Sequence, residues 1–173
     1  LVDTVYAGDA RGNMHKFQFS VPQGLDFVLA KAGDSLGQWR YVGNLYTAST
    51  TATPLVPSTR EPITTAPSVA PSCDGVGWNV TFGTGKLNED ADYGDKTARG
   101  YYNVVDKSPS STLTVPATDL AAISVTESAL GVDLVRRDWA TPNLNGKRGW
   151  KLTFTDGERV LSNSTLPPDT GTV

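Results

Sequence analysis

The sequence predicts an all-β fold, a partial β-propeller of about three to four blades. The chain has 17 glycines, 11 prolines and abundant Ser and Thr, and no long window has apolar residues at helical spacing. About ten short segments alternate like strands and are joined mostly by hairpins with recurring aromatic–glycine pairs. At about 40 to 50 residues per blade, the chain supplies fewer blades than most closed rings contain.

The two ends of the chain lead to a prediction about its domain organisation. LVDTVYAGD enters a strand without a preceding turn, and PPDTGTV is typical of a turn followed by the opening of a strand. A sheet that ends in mid-strand leaves unpaired backbone groups at its edge, which native folds usually avoid. We therefore expect residues 1–173 to be a single propeller fragment that is cut at both ends.

Charge and hydropathy argue against nucleic-acid binding and against a membrane-spanning segment. The net charge is −3, and the Lys and Arg residues are scattered, so the sequence offers no basic field for nucleic acid. No run of about 18 apolar residues occurs, so no membrane span is expected.

The chain contains a single cysteine, Cys73. A lone cysteine excludes a disulfide within the chain and a cysteine-based zinc site. Three interpretations stay open: a small buried residue, a surface thiol, or half of a bridge to a segment outside the chain.

The stretch from Val5 to Phe19 predicts the first hairpin. The turn runs from Asp9 to Gly12, where the Asp side chain can cap the turn and the Gly can take a positive φ. In the second strand, His15, Phe17 and Phe19 share one parity, and we expect that face to be packed. His15, the only histidine, is accordingly interpreted as a packing residue and not as a catalytic base or metal ligand.

The next part of the chain predicts less regular structure. Residues 25–32 fit a strand or a short helical turn, and residues 38–48 fit a strand broken near Gly43 and Asn44. The Thr-, Ser- and Pro-rich segment 49–71 is either a flexible linker or extended structure with short strands that begin at proline.

The second half predicts further strands and two more hairpins. Residues 76–86 form a strand with Trp78, Val80 and Phe82 on one face, and residues 99–106 form another. A second hairpin turns at Leu130 and Gly131. A third joins WKLTF to RVLSN through the turn TDGE, with the Asp-Gly pair typical of tight turns.

The acidic stretch 88–95 lies between two predicted strands. Its carboxylates Asp90, Asp92 and Asp95 are of the type that binds calcium, which takes six to eight oxygen ligands. The spacing lacks the EF-hand order, however, and no bidentate Glu follows. A solvated acidic loop is the favoured interpretation, and a cation site is the alternative.

Five motifs in order resemble the C-terminal β-propeller of the PilC/PilY family, the type IV pilus tip-associated adhesins of bacteria. They span nearly the whole chain, although His15, Leu87, Asn103 and Val105 depart from the family pattern at packing or turn positions. The motifs are VYAGDARGNMHKFQF, PITTAPSVAP, VTFGTGKLNEDAD, RGYYNVVD and DWATPNLNGKRGWKLTFTDGERVLSN.

This resemblance implies a non-enzymatic adhesin and pilus biogenesis factor at the bacterial cell surface. Its implied partners are minor pilins at the pilus tip, a host or surface ligand, and the remainder of its own polypeptide. In some members a calcium loop directly precedes the AGD hairpin and ends in an Asp that corresponds to Asp3. The resemblance thus implies that Asp3 is the last ligand of a calcium loop whose other ligands lie outside the chain.

Two other functions stay open. Quinone-dependent dehydrogenases also use propellers with aromatic–glycine hairpins, but their calcium-held cofactor needs a Glu, Asn and Asp set that cannot be identified here. A carbohydrate-binding surface module would stack sugars on exposed tryptophans, although strand tryptophans are more often core residues. The tryptophans concerned are Trp39, Trp78, Trp139 and Trp150.

Overall fold

The computed structural model describes residues 3–23, 26–29, 37–49, 59–108, 112–131 and 134–165. Within these ranges nearly all regular structure is β, which confirms the predicted fold class. The strands are β1 (Thr4–Gly8), β2 (Asn13–Gln23), β3 (Asp26–Leu29), β4 (Gln38–Thr47), β5 (Ser68–Pro71), β6 (Trp78–Gly83), β7 (Arg99–Asp106), β8 (Ala121–Ile123), β9 (Val125–Gly131), β10 (Leu134–Trp139) and β11 (Gly149–Phe154). A four-residue helix, α1 (Asp90–Tyr93), precedes β7.

Two sheets and a separate hairpin contain all of these strands. In the first sheet, β2 is central and pairs antiparallel with β1, β3 and β4. The second sheet has the order β5-β6-β7-β11-β8, and it is antiparallel except for the parallel pair of β11 and β8. The hairpin of β9 and β10 stands apart. This arrangement agrees with a partial propeller.

The first turn forms as its sequence predicts. The Asp9 carboxylate accepts hydrogen bonds from the backbone N–H groups of Arg11 at 2.8 Å and Asn13 at 2.9 Å. Gly12 has φ = 81°, and a Cβ there would lie 2.7 Å from two carbonyl oxygens. Glycine is therefore required at this position by both conformation and space.

The prediction for the packed face of β2 was wrong. Met14 and Lys16 are the buried residues, at 0% and 2% exposure, whereas His15, Phe17 and Phe19 are half-buried on the opposite face. Alternation separates the two faces of a strand but does not say which one meets another sheet. The Met14 face is buried because it packs against the second sheet.

Strand β4 is irregular near Gly43 and Asn44, as predicted. Its register with β2 shifts twice, between Met14 and His15 and between Lys16 and Phe17. Such shifts are β-bulges, which change the side to which the following residues point. In β4 the consecutive residues 45 and 46 are consequently both buried.

The hydrophobic core lies between the two sheets. Val80, Phe82, Tyr102 and Val104 of the second sheet are fully buried, and Phe82 stacks on Tyr102 with ring centroids 5.3 Å apart. Tyr46 of the first sheet contacts both rings. Trp78 shares the parity of Val80 but is 43% exposed, since it lies at the end of its strand.

For segment 49–71, the extended interpretation holds over residues 59–71, while residues 50–58 lie outside the described residues. Ser49 bridges Arg60, and Ile63 bridges Gly85. The strand in this part is β5, which begins at Ser68 and ends at a proline instead of starting with one. For segment 25–32, the described part is strand β3.

Two hairpin predictions in the second half need correction. The second hairpin exists, but Leu130 and Gly131, the predicted turn residues, belong to strand β9, and Gly131 pairs with Leu134. In the third, the turn at Asp156 and Gly157 forms with positive φ at both residues, but residues 159–163 form no strand beside β11. Both edges of β11 are already paired with β7 and β8, so residues 159–163 have no edge to join.

Candidate functional site

A buried ion pair connects the two sheets. Lys16 of β2 lies 2.6 Å from the Asp106 carboxylate of β7, and both side chains are almost inaccessible to solvent. Asp106 also accepts hydrogen bonds from the Tyr6 hydroxyl at 2.7 Å and from the backbone N–H and hydroxyl of Ser108. Burial alone would raise the pKa of Asp106, but these partners outweigh it and lower the pKa.

Burial and the neighbouring Asp106 raise the pKa of Tyr6 well above its ordinary value, with a smaller contribution from Asp3. The phenol therefore stays protonated and donates to the carboxylate. The Lys16–Asp106 ion pair thus links β2 of the first sheet to β7 of the second, and the other acceptor positions of the carboxylate are filled by Tyr6 and Ser108.

A second buried carboxylate, Glu61, holds the segment between the sheets. It accepts hydrogen bonds from the Thr84 hydroxyl at 2.7 Å and the Tyr102 hydroxyl at 2.8 Å, and Lys151 Nζ lies 3.4 Å away. Burial and the charge of Glu61 raise the pKa of Tyr102. Sequence reasoning missed both carboxylates, although an Asp that closes an apolar strand and a Glu before Pro62 are visible in the sequence.

Asp3, the predicted calcium ligand, lies at the start of β1. Its carbonyl oxygen accepts the backbone N–H of Phe19 at 2.8 Å, and the residue is partly exposed. Within the described ranges, no group of three or more His, Cys, Asp or Glu residues is placed to hold a metal ion. Since calcium takes six to eight oxygens, the described residues do not form its site by themselves, and the role of Asp3 stays a prediction.

The acidic stretch 88–95 is more structured than a solvated loop. Asp92 is buried, accepts the backbone N–H groups of Asn88 and Glu89 at 2.9 and 3.0 Å, and lies 3.1 Å from Lys86 Nζ. The hydrogen bond from Asn88 is the main cause that lowers the pKa of Asp92, against an opposing effect of burial. Its carboxylate thus caps α1.

Asp95 is bound to Thr97 and Arg99. The hydrogen bonds from Thr97 lower the pKa of Asp95. Asp92 and Asp95 are therefore occupied by separate protein donors.

His15 lies in β2, beside the first turn, and is half-buried. Its Nε2 is 2.9 Å from the Asp9 carboxylate, and its Nδ1 is 3.2 Å from the Tyr41 hydroxyl. Burial would raise the pKa of Asp9, but hydrogen bonds from Asn13, His15 and Arg11 lower it to about 2. His15 is therefore held by hydrogen bonds and does not lie in the packed apolar layer that the sequence predicted.

The outer face of the first sheet carries an aromatic ladder, which we define as Phe17, Phe19, Trp39 and Tyr41. Phe19 contacts Trp39 and Phe17 contacts Tyr41, with ring centroids 5.6 and 5.4 Å apart. Trp39 and Tyr41 are 49% and 54% exposed. An exposed apolar patch of this kind is typical of an interaction surface.

The other single-residue predictions have mixed outcomes. Cys73 is exposed, so the interpretation as a buried residue is wrong. Trp78 and Trp139 are exposed, as is Trp39 of the aromatic ladder, and Trp150 is half-buried against Tyr101. The expectation that the tryptophans are core residues is therefore wrong, since three are exposed and Trp150 is only half-buried.

The described ranges contain no helix that is long and apolar enough to cross a membrane. A comparison with curated protein sequences gives no match. Among solved structures, the chain is similar to the C-terminal domain of Pseudomonas aeruginosa PilY1, with a TM-score of 0.69 and 25% sequence identity. The match covers 93% of this chain and 38% of the P. aeruginosa chain.

The family model of the PilY1 β-propeller domain matches residues 1–133. This agrees with the resemblance inferred from the ordered motifs. The chain therefore belongs to the PilY1 β-propeller family of type IV pilus-associated proteins.

Proposed function

We propose that the chain is part of a non-enzymatic adhesin and biogenesis factor of the type IV pilus, located at the pilus tip on the bacterial surface. The observation that carries this proposal is the family match over residues 1–133, combined with a structural match over 93% of the chain. In this role its partners are minor pilins and a surface ligand.

The chemistry of the described residues supports a structural role more than a catalytic one. The histidine is bound between Asp9 and Tyr41, and the buried carboxylates Asp106 and Glu61 are satisfied by donors from the two sheets. None of these arrangements orients a nucleophile and a base toward a substrate. A coloured cofactor or dye-linked alcohol oxidation in the parent protein would favour the dehydrogenase alternative.

Deletion of the parent gene tests the pilus role. We expect loss of twitching and surface attachment, with few or no surface pili, and recovery on complementation with the wild-type gene. Co-purification of minor pilins with the complementing protein would identify its position at the tip. Normal pili, attachment and twitching in the deletion strain would reject the proposal.

We further propose that Asp3 closes a calcium loop supplied by residues outside the chain. In the parent protein, Asp3→Asn is then expected to weaken calcium binding at least about tenfold, measured by calorimetry, because the amide removes a charged oxygen ligand. Asp74→Asn is the matched control, since Asp74 is exposed and pairs with Lys107. Equal calcium affinity of both variants and the wild type would exclude a role for Asp3.

The aromatic ladder is proposed to pack against another blade of the same polypeptide. The matched P. aeruginosa chain is much longer, since this chain covers 38% of it. Propeller blades pack face to face around a ring, and one face of the first sheet is already covered by the second sheet. The propeller fold and the greater length of the P. aeruginosa chain therefore both favour another blade as the partner that covers the aromatic ladder.

A further inference from the structure

A cleft of about 410 Å³ lies where the β9–β10 hairpin leaves the second sheet. Its floor is apolar and consists of Ile123 from β8 and Leu152 and Phe154 from β11, of which Leu152 is buried. Its wall is the hairpin, and its rim is the turn that follows β11. The volume falls within the range of roughly 300 to 1,000 Å³ that is typical of small-molecule sites.

Three charged side chains line one side of the cleft. Arg137 of β10 is paired directly across the hairpin with Glu127 of β9, and its Nε donates to the Glu127 carboxylate at 2.8 Å. The other end of the same guanidinium binds Glu158, which lies in the turn after β11. This shared ion pair joins the hairpin to the turn and brings two carboxylates and one guanidinium together at the cleft.

Trp139 lies two residues beyond Arg137 on the same strand and therefore on the same face. It is 57% exposed and lines the cleft. An exposed indole offers a flat apolar face with one N–H donor at its edge. The cleft thus combines an aromatic platform, an apolar floor and charged hydrogen-bonding groups.

The charge arrangement discriminates between classes of ligand. A cation entering the cleft meets the guanidinium of Arg137, and an anion meets the carboxylates of Glu127 and Glu158. Two carboxylates and one guanidinium leave a net charge of −1, which disfavours an anion, and the solvent exposure of all three groups keeps the attraction for a cation weak. A neutral ligand with hydroxyl groups can accept hydrogen bonds from Arg137 and donate hydrogen bonds to Glu127 and Glu158.

We propose that this cleft binds a carbohydrate, with a pyranose ring against Trp139 and its hydroxyl groups hydrogen-bonded to Glu127, Arg137 and Glu158. The apolar face of a pyranose matches the indole, and its equatorial hydroxyls match the charged rim. The inference deepens the proposed adhesive role, on which it rests for a biological target on a surface. Binding itself is measured on the purified chain, so its failure would leave the gene-deletion test unaffected.

The experiment is a titration of the ¹⁵N-labelled 173-residue chain, followed by two-dimensional NMR. The probes are methyl β-D-galactoside, methyl α-D-mannoside and N-acetyl-D-glucosamine, each raised to about 50 mM, which would saturate a site with a dissociation constant of about 1 mM. At least one sugar is expected to shift the indole N–H of Trp139 and the amides of Thr153 and Thr155 saturably. Absence of saturable shifts with all three would overturn the proposal.

Two variants separate the cleft from other exposed aromatic groups. Trp139→Ala is expected to weaken sugar binding at least about tenfold, whereas Trp78→Ala, which removes another exposed indole outside the cleft, is expected to leave the affinity unchanged. Equal loss in both variants, or loss only with Trp78→Ala, would contradict the cleft as the site. Dispersion of the amide spectrum verifies that each variant is folded.

Glu127→Gln tests the role of charge while keeping an acceptor. The variant is expected to bind the sugar slightly more weakly. The hairpin should stay folded, because the glutamine side-chain oxygen can still accept a hydrogen bond from Arg137. A trilysine peptide is the competing probe. Saturable binding of that peptide at the Trp139 indole, without binding of any sugar, would replace the carbohydrate with a basic protein segment as the ligand.

Discussion

The two faces of the first sheet differ although they alternate along the same strand. Met14 and Lys16 of β2 lie against the second sheet and are almost completely buried. Phe17 and Phe19, next to them in sequence, belong to the aromatic ladder on the other face and are only half-buried. The more aromatic face is thus the less covered one, so the amount of apolar side chain does not identify the face that is buried within the chain.

The physical difference is in the partners that each face has. On the inner face even a lysine is tolerated, because Asp106 and Ser108 bind its ammonium group. On the outer face the contacts are ring to ring within one sheet. Changes on the inner face should therefore unfold the chain, whereas changes on the outer face should matter mainly when another blade covers it.

The largest effect is expected for Asp106→Ala. It leaves Lys16 charged and buried without its carboxylate, and loss of one partner of a buried pair costs about 3–5 kcal/mol of the free energy of unfolding. Urea denaturation measures this loss. Asp74→Ala is the control, since its ion pair with Lys107 is exposed and its loss is expected to lower the free energy of unfolding far less.

The double variant Lys16→Met/Asp106→Leu sharpens this test. Replacement of a buried pair by apolar residues is often neutral, so much of the stability lost in Asp106→Ala should return. Equal losses of stability in Asp106→Ala and Asp74→Ala would show that the Lys16–Asp106 pair does not stabilise the contact between the two sheets.

A smaller effect is expected from acid on the first turn. The pKa of Asp9 is lowered to about 2 from an ordinary value of 3.8. Its stabilisation is therefore complete above about pH 4 and is lost as the pH falls toward 2, because the unfolded state then binds the proton more readily. Asp9 is one-third exposed, so solvent screening reduces the contribution to about 1 kcal/mol.

Asp9→Asn isolates this contribution. Asparagine can also cap the turn but does not titrate, so the variant should lose about 1 kcal/mol at neutral pH and less at pH 2. Urea midpoints between pH 2 and pH 6 give the comparison. An unchanged pH dependence relative to the wild type would show that the turn does not contribute through Asp9.

The smallest effect in the 173-residue chain is expected for Trp39→Ala. The indole is half-exposed and touches mainly Phe19, so its removal should cost about 0.5–1.5 kcal/mol. In a longer form of the protein with a blade against the aromatic ladder, the cost should rise to about 3–5 kcal/mol, as for a buried aromatic residue. Thermal denaturation of the short and the long form measures this loss of stability. An equally small loss in both forms would reject the proposal that another blade packs on the aromatic ladder.

Much of the fold could be predicted from the sequence, because turns and hairpins depend on residues that are close together in the chain. The Asp9–Gly12 turn needs only a capping carboxylate and a residue that adopts φ = 81°. The irregularity near Gly43 and the hairpin of β9 and β10 were predicted from similarly short patterns. For the candidate sites, the sequence indicated Asp3 and the tryptophans but not the arrangement of Trp139 with Glu127, Arg137 and Glu158, which come from three different segments.

By itself the sequence determined the class of fold, most of the strands and membership of the PilY1 β-propeller family, because alternation, turn residues and ordered motifs are local features. Only the tertiary structure decided which face of β2 is buried, which carboxylates are paired inside, and why residues 159–163 do not pair with β11. Each of these depends on contacts between residues far apart in sequence: Lys16 with Asp106, Glu61 with Tyr102, and β11 with neighbours on both of its edges.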